Sequence, residues 1–288
     1  MKKMVILGAG RLGCSLGLAL KAAGYPLAAI TCAHRLSAEQ SSRILDLPSF
    51  YLQPEEAVCQ GNFIFICVPD SQIRPLVKKL SRVEVDWSRR FVYQTSGLLG
   101  SSVLQPLKKL GARVASFHPI QSFSRKKTPL AHWKNIFITL EGDEEAIVAA
   151  REIIRRIGAR PIKIDSGNKA LYHAACSLAS NSLVSLISLA SDLLERAGLE
   201  KSLAFEALKP LVNGTWKNLK QSGPAEALTG PIVRGDLMTV REHLKALKAF
   251  PLAREIYQRL GLLALGLAEK RGLRISQVRA LRTWLQDK

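Results

Sequence analysis

The chain of 288 residues is 47% hydrophobic and 23% charged, enough to bury one or two ordinary cores. Its net charge of +19 is spread along the chain, with 6% aromatic residues and no recognisable nucleic-acid motif, which argues against nucleic-acid binding and for a surface that favours small anions. Five cysteines without C-x-x-C spacing, and no apolar run approaching the roughly 20 residues of a membrane span, point to a reduced cytoplasmic protein without a metal site.

The first element is the apolar strand of "MVILGAGRLG", which ends in Gly8-Ala9-Gly10-Arg11-Leu12-Gly13. It runs into "CSLGLALKAAG", a helix closed by Gly24. The opening "MKKMVIL" is too short for a signal peptide and reads as this strand. A strand, a G-x-G-x-x-G turn and a helix in that order are the context of a dinucleotide site. Gly8 makes the tight turn, Gly10 lets the backbone approach a pyrophosphate, and Gly13 lets helix and strand pack closely. The helix N-terminus turns its unpaired amides toward that phosphate, with Arg11 and Leu12 inside the turn.

The next strand lies in "LAAITCAHRLS", residues 27–37, where the carboxylate that accepts an NAD ribose hydroxyl would stand. No acid occurs before Glu39. Thr31, His34 and Arg35 stand there, with Arg11 facing the same region. A guanidinium grips a 2′-phosphate bidentately, so the cofactor expected is NADP(H).

"FIFICVP", "RFVYQTS", "ARVASFHP" and "NIFITLEG" continue as strands, separated by helices in "SQIRPLVKKL", "SSVLQPLKKLG" and "EEAIVAAREIIRRIG". Continuous apolar strands alternating with helices predict a parallel sheet covered on both faces. "CVPD" (67–70) and "QTSG" (94–97) fall at strand ends, which makes Val68, Pro69 and Ser96 expected cofactor neighbours. "SFHPIQSF" (116–123) follows its strand, and His118, pinned by Pro119, is expected at the same cleft, against the reading of a structural loop histidine.

After "PIKIDSG" the strand pattern stops, which divides the chain into an α/β domain, 1–164, and an all-α domain, 165–288. "GNKALYHAACSLASNSLVSLISLASDLLERAG" reads as one helix of about 30 residues, roughly 45 Å long. Asp165 or Ser166 caps its start and Gly198 its end. Apolar and small residues surround it, so burial on most faces is expected, part of it against a second subunit. Lys169, His173, Ser177 and Asn181 recur every four residues and form one slowly turning polar stripe. A Lys and a His on a buried helix need partners, and a substrate oxygen is one; a snorkelling Lys169 and a His173 bonded to a backbone carbonyl are the alternative. In "ALTGPIVRGD" (227–236), Thr229, Arg234 and Asp236 either line a pocket or join two helices.

The series "GAGRLG", "CVPD", "QTSG", "SFHPIQSF", "YHAACSLASN" and "ALTGPIVRGD" resembles bacterial Rossmann-like proteins with a C-terminal domain of unknown function (DUF2520), NADP oxidoreductases of the 6-phosphogluconate dehydrogenase-like superfamily. The resemblance implies a Rossmann-type nucleotide domain followed by a helical domain that mediates homodimers. It also implies a Lys followed four residues later by a polar group on the first long helix, the spacing of Lys169 and His173, with Asn181 two steps further. The His-Pro pair is similar to a prephenate-type motif in which the histidine meets the substrate hydroxyl, here His118.

Together these features predict an NADPH-dependent reductase of a small carbonyl or imino acid. Lys169 is expected to bind or protonate the developing alkoxide, with His173 or His118 orienting it or relaying the proton. The competing reading is an NADP(H)-binding regulator or scaffold without redox turnover.

Overall fold

The computed structural model describes residues 2–287. It begins with β1 (Met4–Leu7), α1 (Arg11–Ala22), β2 (Leu27–Thr31), α2 (Arg35–Leu45), α3 (Pro54–Val58), β3 (Phe63–Ile66) and α4 (Asp70–Leu80). β4 (Phe91–Gln94), α5 (Gln105–Lys108), β5 (Arg113–Pro119), β6 (Phe137–Gly142), α6 (Glu144–Arg156) and β7 (Arg160–Lys163) follow. The remainder is helical: α7 (Lys169–Arg196), α8 (Lys201–Ala227, interrupted at Gly223), α9 (Pro231–Arg234), α10 (Leu237–Ala246), α11 (Pro251–Lys270) and α12 (Ile275–Gln286).

The seven strands form one sheet in the order β2-β1-β3-β4-β5-β6-β7. β1 to β5 run parallel. The expectation of a wholly parallel sheet needs correction at one edge, because β6 pairs antiparallel with β5. The segment between them carries only a short turn of helix, Leu130–Trp133, and so makes no helical crossover of the kind a parallel pair requires. β7 adds to β6 in parallel as a seventh strand that the sequence did not announce. Its "RPIK" is largely exposed, so it lacks the apolar run that marked the others.

Alternation along the strands divides the core into two layers. Met4, Ile6, Phe65, Tyr93 and Phe117 point to the side covered by α1 and α6. Val5, Leu7, Ile64, Ile66, Val92 and Val114 point to the side of α4 and α5. Each such side chain contributes about 1.5–3 kcal/mol on full burial. Period two also puts Ser116 and His118 on the Val114 side of β5, and the β5–β6 register sets them opposite Glu141 and Thr139. Four polar side chains thus share one patch of this face, beside the buried Gln94 of β4 that pairs with Ser116.

The secondary structure turns wholly helical after β7, but the compact units divide further on, between Ser180 and Asn181 inside α7. Asp165 caps the turn before α7 by accepting from the Gly167 amide, and Gly198 follows its end at φ +103°. The expected burial of this helix is not found: Lys169 is its one buried residue in the chain alone, while Leu171 is 74% and Leu178 69% exposed. Nor does the absence of a long apolar run hold. Ser166–Arg196, 31 residues, has the length and composition to cross a membrane, because Ala and Ser extend its apolar stretch and its charges sit toward the ends. The second unit has its own core of Val240, Leu244, Leu265, Val278, Leu281 and Leu285.

Candidate functional site

β1 delivers the Gly-rich turn to the carboxyl edge of the sheet, beside the end of β3. Gly8 adopts φ +98°, and a Cβ there would meet the Cys67 carbonyl oxygen and Val68 Cγ1 at 2.8 Å, so only glycine fits. Its amide donates to the Thr31 carbonyl at 3.1 Å, and that of Ala9 to the same oxygen at 2.7 Å, which ties the turn to β2. Gly10 stands at the N-cap of α1 with no side-chain cap and with open space where a Cβ would project. A Cβ on Gly13 would overlap the Gly8 carbonyl, so helix and turn are in van der Waals contact. Arg11 is exposed and Leu12 half-buried at the start of α1. The uncapped amides and the clear approach fit a pyrophosphate.

At the end of β2, His34 is the N-cap of α2 and gives no side-chain cap, while Arg35 begins the helix. Both are exposed, and the first turn of α2 holds no acid. The region is less purely cationic than the sequence implied. Glu39, one turn on, accepts from Arg35 Nε at 3.1 Å because the i, i+4 spacing puts the two on one face.

Val68 is half-buried and Pro69 exposed, the latter as N-cap of α4. Ser96 is buried, and its Oγ accepts from the amides of Leu98 and Leu99 at 3.1 and 2.9 Å. Ser96 therefore shapes the turn after β4.

The first turns of α7 cover the polar patch of β5 and β6. Lys169 is 2% exposed, and its Nζ donates to the Ser96 carbonyl at 3.0 Å and to Ser116 Oγ at 2.5 Å. Burial lowers its pKa, against the nearby Glu141 and Asp70 that raise it. Glu141 accepts from the Ser101 amide at 2.6 Å and from Ser101 Oγ at 2.7 Å. Where a substrate oxygen was expected to meet this ammonium, protein acceptors hold two of its three protons.

His118 lies inside β5 and not after it, since the strand runs to Pro119. Its Nδ1 is 2.6 Å from the Tyr172 hydroxyl, which is 3.2 Å from Thr139 Oγ1. The His173 ring packs edge-on to it, with centroids 5.9 Å apart. Gly97 passes between the two: a Cβ there would lie 2.9 Å from His118 Nε2 and overlap His173 Cδ2. Burial, and then the charges of Lys169 and His173, lower the His118 pKa from 6.5 to about 4. Burial likewise keeps Tyr172 a phenol by raising its pKa. At neutral pH the cluster is a neutral imidazole with a hydroxyl on one nitrogen and a glycine turn beside the other.

The stripe does not act as a unit. Steps of four residues drift by about 40°, so by Asn181 the helix has turned about 120° from Lys169. Asn181 is exposed and belongs to the second unit. In "ALTGPIVRGD" Asp236 serves the helix connection, capping α10 by accepting from the Thr239 amide at 3.0 Å, while Arg234 is exposed and Thr229 lines a cavity with Pro231 and Ile232. Tyr172, Ser116, Thr139 and Gly97 were missed. Tyr172 stands beside His173 and three residues from Lys169, a spacing that was open to reading, whereas Thr139 needed the antiparallel register.

Residues 2–119 match the model of a Rossmann-like domain, and residues 136–264 that of DUF2520, a domain of unknown function. A Bacteroides fragilis protein described as a candidate NADP oxidoreductase is 21% identical, with 92% of this chain and 98% of that one covered at a TM-score of 0.76. A Thermotoga maritima protein is 26% identical over 93% of this chain and 99% of that one, at 0.73. The 1-pyrroline-5-carboxylate reductase of Streptococcus pyogenes is 15% identical over 92% and 98%, at 0.62. None of the curated proteins matches the sequence. The fold shared with these structures is that of NAD(P)-dependent oxidoreductases.

Proposed function

Because the chain pairs a Rossmann-like domain with a DUF2520 domain, we propose that it is a cytoplasmic NADP(H)-dependent reductase of a small carbonyl or imino acid. The observation that carries this reading is the neutral, half-buried His118 on the strand edge that also bears the Gly8–Gly13 turn. Gly8, Gly10 and Gly13 would seat the pyrophosphate, Arg11, His34 and Arg35 the 2′-phosphate, and Val68 and Pro69 the ribose on the nicotinamide side. When bound, the nicotinamide supplies the hydride.

His118 is the group assigned to the substrate oxygen. With the Tyr172 hydroxyl donating to Nδ1, the proton of the imidazole resides on Nε2 and is held toward an oxygen that gains negative charge. Thr139 supports the Tyr172 oxygen, which fixes the ring without a carboxylate. Lys169 acts through its charge: it holds the turn after β4 against β5 and adds to burial in lowering the His118 pKa. His173 forms the second wall of the cleft beside Gly97.

We also assign the exposed apolar residues of α7, Leu171, Leu178, Leu183 and Val184, to contact with a second copy of the chain. Calorimetric titration with NADPH and NADH tests the cofactor assignment. The phosphorylated form binds more tightly if the reading is right, and equal or reversed affinity refutes it.

A further inference from the structure

The basic segment "SRKK" between β5 and β6 has one member that leaves the surface. Lys126 Nζ donates to the Ser37 carbonyl at 3.0 Å, to Ser37 Oγ at 2.8 Å and to Ser41 Oγ at 3.0 Å. Ser41 Oγ in turn donates to the Ala9 carbonyl at 2.8 Å, inside the Gly-rich turn. A single ammonium from the segment between β5 and β6 therefore reaches the first turns of α2, where Ser41 carries the contact on to the turn after β1. These are the elements that would hold the adenosine end of the cofactor.

The charge of this group is not cancelled. Lys126 is half-buried, its three acceptors are neutral, and it pairs with no carboxylate among the described residues. The nearest acid on α2, Glu39, is engaged by Arg35. The helix start beside it has neither a side-chain cap nor an acid in its first turn. Two of its acceptors are serine hydroxyls, which are weaker acceptors for an ammonium than a phosphate oxygen is. A partly buried cation surrounded by neutral dipoles is stabilised by an incoming dianion more than an exposed one is, because screening by water is weaker there.

On the NADP(H) reading above, we propose that Lys126 is a further specificity-determining residue for the cofactor, exchanging a serine acceptor for the 2′-phosphate. The same contact ties the segment that begins at His118 and Pro119 to the phosphate, eight residues from the imidazole. Cofactor choice and the ordering of the catalytic strand's exit then depend on one side chain.

Titration calorimetry of the full chain with 2′,5′-ADP and with ADP tests this without turnover. The wild type should prefer 2′,5′-ADP. In K126M its affinity for 2′,5′-ADP should fall about tenfold, the worth of one charge-assisted hydrogen bond, with ADP affinity changed less than about twofold. K126Q keeps a hydrogen-bonding end for Ser37 and Ser41 and should show the same split, which covers the case of K126M failing to fold. Equal losses on both probes would make Lys126 a structural clasp and overturn the proposal, as would unchanged 2′,5′-ADP affinity; both leave the NADP(H) reading standing. A wild type that binds 2′,5′-ADP no better than ADP would overturn both.

Discussion

Nδ1 of His118 stands 2.6 Å from the hydroxyl of Tyr172, so a residue of β5 and one of α7 fix each other's orientation. The pairing commits one imidazole nitrogen to the protein and leaves Nε2 toward Gly97 and His173. Catalysis by a neutral histidine needs this division, and it leads to consequences for pH, for charge and for the space around the ring.

The first concerns acid stability. His118 in the fold has its pKa lowered to about 4 by burial, Lys169 and His173, against 6.5 when unfolded. Below 6.5 the unfolded chain takes up a proton that the native imidazole refuses, so stability falls as pH drops, with the full loss reached near 4. In H118Q this part of the pH dependence should disappear. Urea midpoints measured between pH 7 and 4 would show a flatter profile for the variant; parallel profiles would mean that His118 titrates normally.

Lys169 should betray its role through its neighbour. K169M removes a charge that lowers the His118 pKa, so the imidazole should titrate higher in the variant than in the wild type, as read by NMR of the ring protons. Both K169M and K169A should also cost about 1–3 kcal/mol, since the Ser96 carbonyl and Ser116 Oγ lose their donor in a buried place. An unmoved His118 titration in K169M would separate the two groups electrically and remove the positioning role.

Gly97 sets the width of the cleft. G97A forces a methyl against both His118 and His173 and should destabilise by about 1–3 kcal/mol while displacing the rings. G266A is the counterpart: a Cβ there meets nothing within 4 Å in α11, so the variant should gain roughly 0.5–1 kcal/mol. Thermal melts of the two variants with opposite signs would support the packing described here; a neutral G97A would contradict it.

The sequence made the nucleotide half legible because each of its signals is local. The turn after β1 needs glycine at a positive φ, and the missing acid before Glu39 is plain from the residues alone. What it hid depends on pairing across distance. The reversal of β6 is decided by a connection too irregular to read, and that reversal sets Thr139 and Glu141 beside His118 and Ser116. The four-residue stripe on α7 suggested a row of catalytic groups, but the drift of the helix left Asn181 exposed while Tyr172, off the stripe, became the partner of His118. Lys169 was recognised as buried, but the carbonyl and serine hydroxyl that take two of its three protons come from strands far along the chain and could not be read from it.

The central claim is that His118 hands a neutral hydrogen bond to the oxygen of a substrate reduced by NADPH. Rates of NADPH oxidation by wild type and H118N across a panel of small keto and imino acids test it most directly. The account predicts turnover of at least one of these acids by the wild type and a loss of about 100-fold or more in H118N, with NADPH affinity unchanged. Undiminished turnover in H118N, or a wild type that binds NADPH and oxidises it with none of the acids, would contradict it.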